Sequence, residues 1–296
     1  MNKKILLLII VAIGIVLYFI FGRLTINGVT VTNKTHWAEI VDDSVDRQTK
    51  DGIKSSADVL LTLSRFDDLE STASEYRASR QEFKNGEWAL QAFYYGLANY
   101  RLKQPATPEN WALKLDRLRE WVKQRPNSAT ARIALSEFLI GYAYEGRGRT
   151  YADSVTEAQW KLFADRMQEA ESVLKERPDL QDQCPQWRAV FLNIRGPEWT
   201  LDKFIEAFNE AVAHDSMYVS YYTRMAANLL PRWYGGDGDT QRFAKGAADS
   251  LGGVQGDILY ARIIWSLDVT HSGLNYLQTR PSSINWRRVK RGLESL

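Results

Sequence analysis

The sequence has little of the chemistry that disulfides, metal sites and thiol catalysis require. Cys184 is its single cysteine among 296 residues, and one thiol cannot form an intrachain disulfide. Its three histidines, His36, His214 and His271, are far apart, and none lies four residues from another. Because a zinc site needs several such ligands together, the sequence predicts no metal site and a buried, structural Cys184.

The common catalytic and nucleotide-binding motifs are also missing. The chain has no P-loop, no Gly-x-Ser-x-Gly and no Gly-x-Gly-x-x-Gly after a strand. Acids are plentiful, as in EIVDDSVD and RFDDLE, but acids at helix starts typically contact free amides. We therefore predict no catalytic residue and no cofactor. A pair of glycan-cleaving carboxylates stays an alternative, because its members can be distant in sequence.

The charge balance excludes a strongly basic nucleic-acid-binding surface. The net charge is +2, and Lys3, Lys4 and Arg23 all lie at the N-terminus, so the rest of the chain is nearly neutral. Nucleic-acid binding depends on a concentrated positive field. We therefore predict no nucleic-acid partner.

A charge-free run at residues 5–22 predicts a membrane helix. It follows Lys3 and Lys4, and at 1.5 Å per residue it spans about 27 Å, near the hydrocarbon thickness of a bilayer. A cleaved signal peptide is the alternative, but its apolar region would be shorter and followed by a small-x-small site. We predict an uncleaved anchor at residues 1–23. The flanking lysines favour a single pass through a bacterial inner membrane, with the main domain on the periplasmic or extracellular side.

Residues 24–59 are predicted to be a spacer. The stretch LTINGVTVTN alternates apolar and polar residues around Asn27-Gly28, which is a strong β-hairpin signal. A short helix is predicted at residues 36–51, followed by a polar segment, and no further strand is expected.

From about residue 60 the pattern is helical. Apolar residues recur at helical spacing, as in Ile133, Leu135, Phe138, Leu139 and Tyr142, and the breaks are short and contain Gly, Pro, Asn or Asp. Predicted helices cover residues 67–83, 87–102, 109–125, 128–145, 156–177, 182–194, 201–214, 217–233, 240–250, 258–267 and 285–293.

Two of the breaks are near-copies. WVKQRPNS (121–128) and SVLKERPD (172–179) each combine a helix end, Arg-Pro and a polar cap, and AVAHDSMY (211–218) is a third version without proline. Helical hairpins of this kind bury their apolar faces by stacking on one another. The predicted fold is all-α: a helical-hairpin repeat, either a tetratricopeptide-like α-solenoid or a compact bundle, at residues 60–250, with a C-terminal helical cap at residues 251–296.

Three segments carry a resemblance to a known family: SRFDDLE (64–70), NGEWALQAFYYGL (85–97) and AVAHDSMYVSYYTRMAANLLPRWYGGDGD (211–239). Over residues 60–250 the chain resembles the bacterial helical family called domain of unknown function 4034, whose members look like divergent tetratricopeptide proteins. The resemblance implies a fold of paired helices and implies no reaction.

The glycine-rich stretch NLLPRWYGGDGDT (228–240) favours a turn inside a helical hairpin. It follows an amphipathic helix rather than a strand, which argues against a phosphate-binding loop, and it lacks the spacing of a calcium-binding EF-hand loop. Aromatic and basic residues here and in two aromatic-rich helices are the predicted partner-binding residues: Arg232, Trp233, Tyr234, Tyr221, Tyr222, Tyr94 and Tyr95.

The basic segment WRRVKR (286–291) is typical of a C-terminal helix with cations near its end, and contact with anionic lipid or a partner is the alternative. The predicted function is a membrane-anchored, exported helical-repeat protein that binds a protein or peptide partner without catalysis, such as an envelope immunity or assembly factor. A glycan- or cell-wall-acting enzyme with paired carboxylates and a self-assembling structural component are the alternatives.

Overall fold

The computed structural model describes residues 23–26, 29–32, 41–42, 49–83, 87–98, 107–148, 154–194, 199–231, 233–270 and 283–296. These residues form twelve α-helices, a 3-10 helix and three short strands. The predicted all-α character is confirmed, since the strands are confined to the N-terminal spacer. The helices are α1 (Lys50–Thr62), α2 (Phe66–Ser79), α3 (Ala89–Ala98), α4 (Pro108–Gln124), α5 (Ala129–Arg147), α6 (Glu157–Lys175), α7 (Pro185–Phe191), α8 (Leu201–His214), α9 (Val219–Asn228), α10 (Asp239–Leu251), α11 (Gly253–Thr270) and α12 (Trp286–Glu294).

The strands form a small antiparallel sheet in the order β1 (Arg23–Ile26), β2 (Val29–Thr32) and β3 (Val41–Asp42). Strands β1 and β2 flank Asn27-Gly28 and pair with Ile26 opposite Val29. At residues 41–42 the third strand replaces the predicted helix of residues 36–51, because Val41 pairs with Thr30, and helix α1 begins at Lys50. Residues 36–40 and 43–48 of that prediction lie outside the described residues.

Helix α1 also replaces the polar segment that the sequence predicts at Lys54-Ser55-Ser56. The Thr49 hydroxyl accepts a hydrogen bond from the Gly52 amide and caps the helix start. Ile53, Ala57, Leu60 and Leu61 are buried along one face, a spacing that lets the helix pack despite its polar opposite face.

The chain divides into two compact units, of which the first contains residues 1–81 and 88–126. Helix α1 packs there on α2, α3 and α4, and the rings of Phe66 in α2 and Trp121 in α4 stack with centroids 5.8 Å apart. The buried Lys114 ammonium of α4 donates to the Asp58 carboxylate of α1 at 2.7 Å and to the Gly96 carbonyl of α3 at 3.0 Å. Gly96 is required for this packing, because a Cβ at this position would lie 2.3 Å from the Lys54 carbonyl oxygen.

The second unit contains residues 82–87 and 127–296. Helices α5 and α6 pack as a pair, α8 packs on α7 and α9, and α11 packs on α9, α10 and α12. The C-terminal helices join the same unit as α5–α10, and the predicted ranges 60–250 and 251–296 stay a prediction.

The near-copy breaks share a backbone conformation. Arg125 and Arg177, which precede the two prolines, have φ/ψ of −128°/67° and −138°/63°, outside the α region that a following proline disfavours. Asp215, at the version without proline, has φ −148° and ψ 95°. In the second unit the Arg177 guanidinium also donates to the Asn127 side chain of the preceding break at 2.5 Å.

Other predicted helix bounds also differ from the structure. The segment 182–194 is divided between a 3-10 helix (Pro178–Gln183) and α7, with an extended Cys184 between them. Helix α9 ends at Asn228 rather than 233. In the part of the chain that the structure describes, no helix has both the length and the apolar character needed to cross a bilayer. Residues 5–22, where the anchor is predicted, lie outside that part.

Candidate functional site

Three of the predicted partner-binding tyrosines are core residues. Tyr94 and Tyr221 are fully buried and Tyr222 is only 7% exposed, so their rings pack in the core, and partner binding by these residues stays a prediction. Tyr94 packs edge-on against Phe93, with ring centroids 5.3 Å apart. At these positions the rings contribute to helix packing.

The hydroxyl groups of Tyr221 and Tyr222 have partners inside the second unit. Tyr221 donates to the Pro185 carbonyl at 2.9 Å and Tyr222 to the Ser216 carbonyl at 3.0 Å. The neighbouring Tyr218, also fully buried, donates to the Gln186 side chain. Burial raises the pKa of the Tyr218, Tyr221 and Tyr222 hydroxyls above the usual value, because the ionised form loses its hydration.

Buried tyrosines predict a loss of stability at alkaline pH. Since the folded-state pKa values lie above the unfolded value of about 10, the stabilisation is complete below pH 10 and falls as the pH rises from there towards the folded-state pKa values. We expect about 1.4 kcal/mol lost per pH unit for each of Tyr218 and Tyr221, measured by urea unfolding from pH 8 to 11. Tyr221→Phe should be less stable at pH 8 but show a shallower alkaline slope. An unchanged slope would contradict the assignment.

Tyr95 is the exposed member of the predicted set. It lies in the first unit with 47% of its surface accessible, and the Lys54 ammonium is 4.8 Å from the centre of its ring. This cation–π contact covers part of the ring, and Tyr95 is retained as a surface residue of the first unit.

The glycine-rich stretch is the turn between α9 and α10. Gly235 lies so close to the preceding chain that a Cβ would be 2.1 Å from the Leu229 carbonyl oxygen, and Gly238 has a φ of +82° that favours glycine. The Asp239 carboxylate accepts from the Gly236 amide at 2.5 Å, and the Thr240 hydroxyl donates to the Leu229 carbonyl at 3.0 Å. In this stretch the glycines and Asp239 therefore serve to reverse the direction of the chain between the two helices.

Of the remaining predicted residues, Trp233 and Tyr234 are half-buried within this turn. The Tyr234 ring packs on Phe204 of α8, with centroids 4.9 Å apart. Arg232 lies outside the described residues. The turn therefore contributes to the packing of α8 and α9.

A depression in the second unit was not predicted from the sequence. It has a volume of about 10 Å³, room for one water molecule, and it lies beside α9, the end of α10 and the start of α11. Met217, at its edge, is 40% exposed although it is apolar. The lining is mostly apolar and comprises Ser216, Met217, Val219, Tyr222, Leu251, Gln255, Ile258, Leu259 and Arg262.

Arg262 is the charged group of this depression. Its side chain is only 14% exposed, and its nearest carboxylate, Glu82, is 3.4 Å away. The Arg262 Nε is buried and has no hydrogen-bond partner among the residues that the structure describes. Burial lowers the pKa of the guanidinium, and Glu82 offsets only part of this effect. The depression therefore contains a cation whose charge is incompletely compensated.

A sequence signal for this site did exist. Arg262 is the one charged residue in the apolar run ILYARIIWSL (258–267), and a cation inside such a run requires a partner when it is buried. The partner Glu82 lies 180 positions earlier in the chain, which is why periodicity within α11 could not identify it.

A second buried polar cluster connects α5, α7 and α9. One oxygen of the Glu137 carboxylate accepts from the Arg224 guanidinium at 2.6 Å and from the Gln186 amide at 2.7 Å. Gln186 in turn accepts from Tyr218. Each of the two charges is at most 15% exposed, and since they neutralise each other the cluster is best described as a polar link within the core.

Neither a metal centre nor a reactive thiol is formed by the described residues. No group of three or more His, Cys, Asp or Glu side chains in those ranges is arranged to hold an ion. His214 lies 3.8 Å from the Asp182 carboxylate at the end of α8, and Cys184 is fully buried.

Comparisons of the chain with protein-family models, curated proteins and solved structures find no match. The resemblance to domain of unknown function 4034 therefore stays a prediction.

Proposed function

We propose that this protein is a membrane-anchored, exported helical-repeat protein whose second unit binds a protein or peptide partner at the Arg262 depression. Binding by surface complementarity, without catalysis, accounts for a mostly apolar surface with one specific charge. An envelope immunity or assembly factor is the kind of protein that would use such a surface. Residues 5–22 would hold it at the bacterial inner membrane, with the helical domain on the outer side.

The observation that supports this proposal is the incomplete pairing of Arg262. A buried guanidinium binds carboxylates more strongly than an exposed one, because water competes less for it. The 3.4 Å contact with Glu82 is long for a charge-assisted hydrogen bond. A carboxylate of the partner would complete the pairing of Arg262, and the low competition from water at this buried site would strengthen its binding.

The lining suggests the chemistry of the partner. Met217, Leu251 and Ile258 offer apolar contacts beside the guanidinium, and Gln255 offers an amide at the exposed side. A peptide segment with an acidic side chain, or a terminal carboxylate, next to an apolar side chain fits this combination. The small volume implies that only the tip of one partner side chain enters.

The repeat type belongs to the same proposal. The near-copy breaks at residues 121–128 and 172–179 share their sequence pattern and the backbone conformation before proline. Both features support a tetratricopeptide-like array of helical hairpins, the type implied by the resemblance to domain of unknown function 4034. Such arrays commonly present extended binding surfaces.

The proposal is tested by site-specific photocrosslinking in the native membrane. A photoreactive phenylalanine at Gln255, an exposed residue of the lining, is expected to capture one discrete partner, and the same group at the exposed Gln168 of α6 is the matched control. Arg262→Gln should reduce the captured amount more than tenfold, because a partner carboxylate would lose its buried counter-charge.

Arg242→Gln is the control for the loss of an arginine, since Arg242 is 69% exposed on α10. Equal capture by wild type and Arg262→Gln, or equal capture from Gln255 and Gln168, would overturn the proposal. Release of sugar fragments from cell-wall glycan by the purified protein would support the alternative of a carboxylate enzyme.

A further inference from the structure

The C-terminal helix α12 packs on the second unit through one of its faces. Arg288 donates to the Asp257 carboxylate of α11 at 2.7 Å and to Asp249 of α10 at 2.5 Å, and Arg291 donates to Asp257 at 2.6 Å. Gly292 lies against α11, where a Cβ would be 2.1 Å from the Asp257 carbonyl oxygen. Together with the buried Val289, these contacts fix which side of α12 faces the protein.

The opposite side of α12 combines apolar and basic residues. Trp286, Lys290 and Leu293 follow one another at helical spacing, so they share one face. Trp286 is 44% exposed and Leu293 46% exposed, and the Lys290 side chain is 75% exposed. Arg287 is exposed beside them. We call these four residues the outer face of α12.

The four cations of WRRVKR are thus divided between two roles. Arg288 and Arg291 are used in ion pairs with the acids of α10 and α11. Lys290 has a long 3.7 Å contact with Glu294, which contributes little at an exposed site. No ion pair involves Arg287 within the described residues. The outer face therefore has positive charge and exposed apolar surface in the same small area.

We propose that the outer face of α12 lies on the surface of a bilayer that contains anionic lipids. A tryptophan and a leucine flanked by cations are the combination that interfacial helices use, with rings at the headgroup level and cations at lipid phosphates. Charge complementarity identifies the anionic headgroup, since each cation near such a surface contributes measurably to binding.

The size and shape of this face favour lipid over a protein partner or a second copy of the chain. A nine-residue helix is only about 13 Å long, and a few exposed side chains offer far less than the roughly 800 Å² that each partner buries in a stable protein interface. A weak contact suffices at a membrane if the predicted anchor at residues 5–22 keeps the domain nearby. The inference does not depend on the Arg262 depression.

The test uses the full chain in lipid nanodiscs, with a polarity-sensitive fluorophore at a single exposed cysteine. The native Cys184 is fully buried, so Leu293→Cys can be labelled selectively in the folded protein. Leu162→Cys on α6, where the leucine is 38% exposed, is the matched control. We expect the label at position 293 to enter an apolar environment in discs with phosphatidylglycerol but not in discs of phosphatidylcholine alone, while the label at position 162 stays in water in both.

The outward cations provide the second arm of the test. Arg287→Gln with Lys290→Gln should reduce the lipid-contacting fraction about 25-fold, or about fivefold for each charge, and high salt should have a similar effect. Both positions are exposed, and circular dichroism checks that the variant folds. The proposal is overturned if the label at position 293 responds equally to both lipid compositions. It is also overturned if that label responds to protein concentration in detergent, which would indicate a contact between copies.

Discussion

Replacing Trp121 with alanine is expected to lower the free energy of unfolding of the first unit by about 3–5 kcal/mol. The Trp121 ring is fully buried and stacks parallel to Phe66. Its Nε1 also donates to the Glu70 carboxylate at 3.0 Å. The substitution removes a large apolar area, leaves a cavity beneath α2 and deprives Glu70 of a donor, so the losses act in the same direction.

The measurement is urea unfolding followed by far-ultraviolet circular dichroism. Leu113→Ala is the matched control, because Leu113 lies on the same helix α4 but is 58% exposed, and its replacement should change stability by less than about 0.5 kcal/mol. A loss below about 1 kcal/mol for Trp121→Ala would mean that the Trp121–Phe66 stack does not form the core of this unit.

The second large effect is expected in the polar link between α5 and α9. Arg224→Met should lower the stability of the second unit by about 3 kcal/mol or more, because the Glu137 carboxylate is only 11% exposed and would lose its counter-charge. Among the described residues, Gln186 would then be the one remaining hydrogen-bond donor to Glu137.

A double-mutant cycle separates the pair from the loss of arginine itself. Adding Glu137→Gln removes the stranded charge, and its side-chain oxygen can still accept from Gln186, so the double variant should regain about 2 kcal/mol. Arg242→Met, which breaks an exposed pair on α10, should cost less than about 1 kcal/mol. If the losses of Arg224→Met and Glu137→Gln simply add, the two charges are not coupled.

The helices themselves were largely predictable because their signals are local. Helix α8 begins and ends at the predicted residues 201 and 214, since Thr200 caps its start and Asp215 precedes a turn. Helix α1 was missed because a Lys-Ser-Ser run masks the buried positions Ile53, Ala57 and Leu60. The helix forms because these apolar residues share one buried face, a pattern that is hidden when the polarity of the whole segment is considered.

The candidate site was less predictable, because burial depends on contacts between distant parts of the chain. Tyr94 and Tyr95 are adjacent in sequence, yet one is fully buried and the other is 47% exposed. The composition of an aromatic-rich helix cannot distinguish such neighbours when most of its faces are apolar. Arg262 likewise becomes a candidate binding residue only because the fold buries it and brings Glu82 near it.

The buried Cys184 allows local opening of the second unit to be measured without introducing a label. Its thiol lies between the 3-10 helix and α7 with no exposed surface, so an alkylating reagent can modify it only in molecules that have opened there. The ratio of its modification rate to that of a free thiol measures the population of the open form when reclosing is fast, and the opening rate when it is slow. The chain therefore contains a natural probe of local opening at the junction between the 3-10 helix and α7.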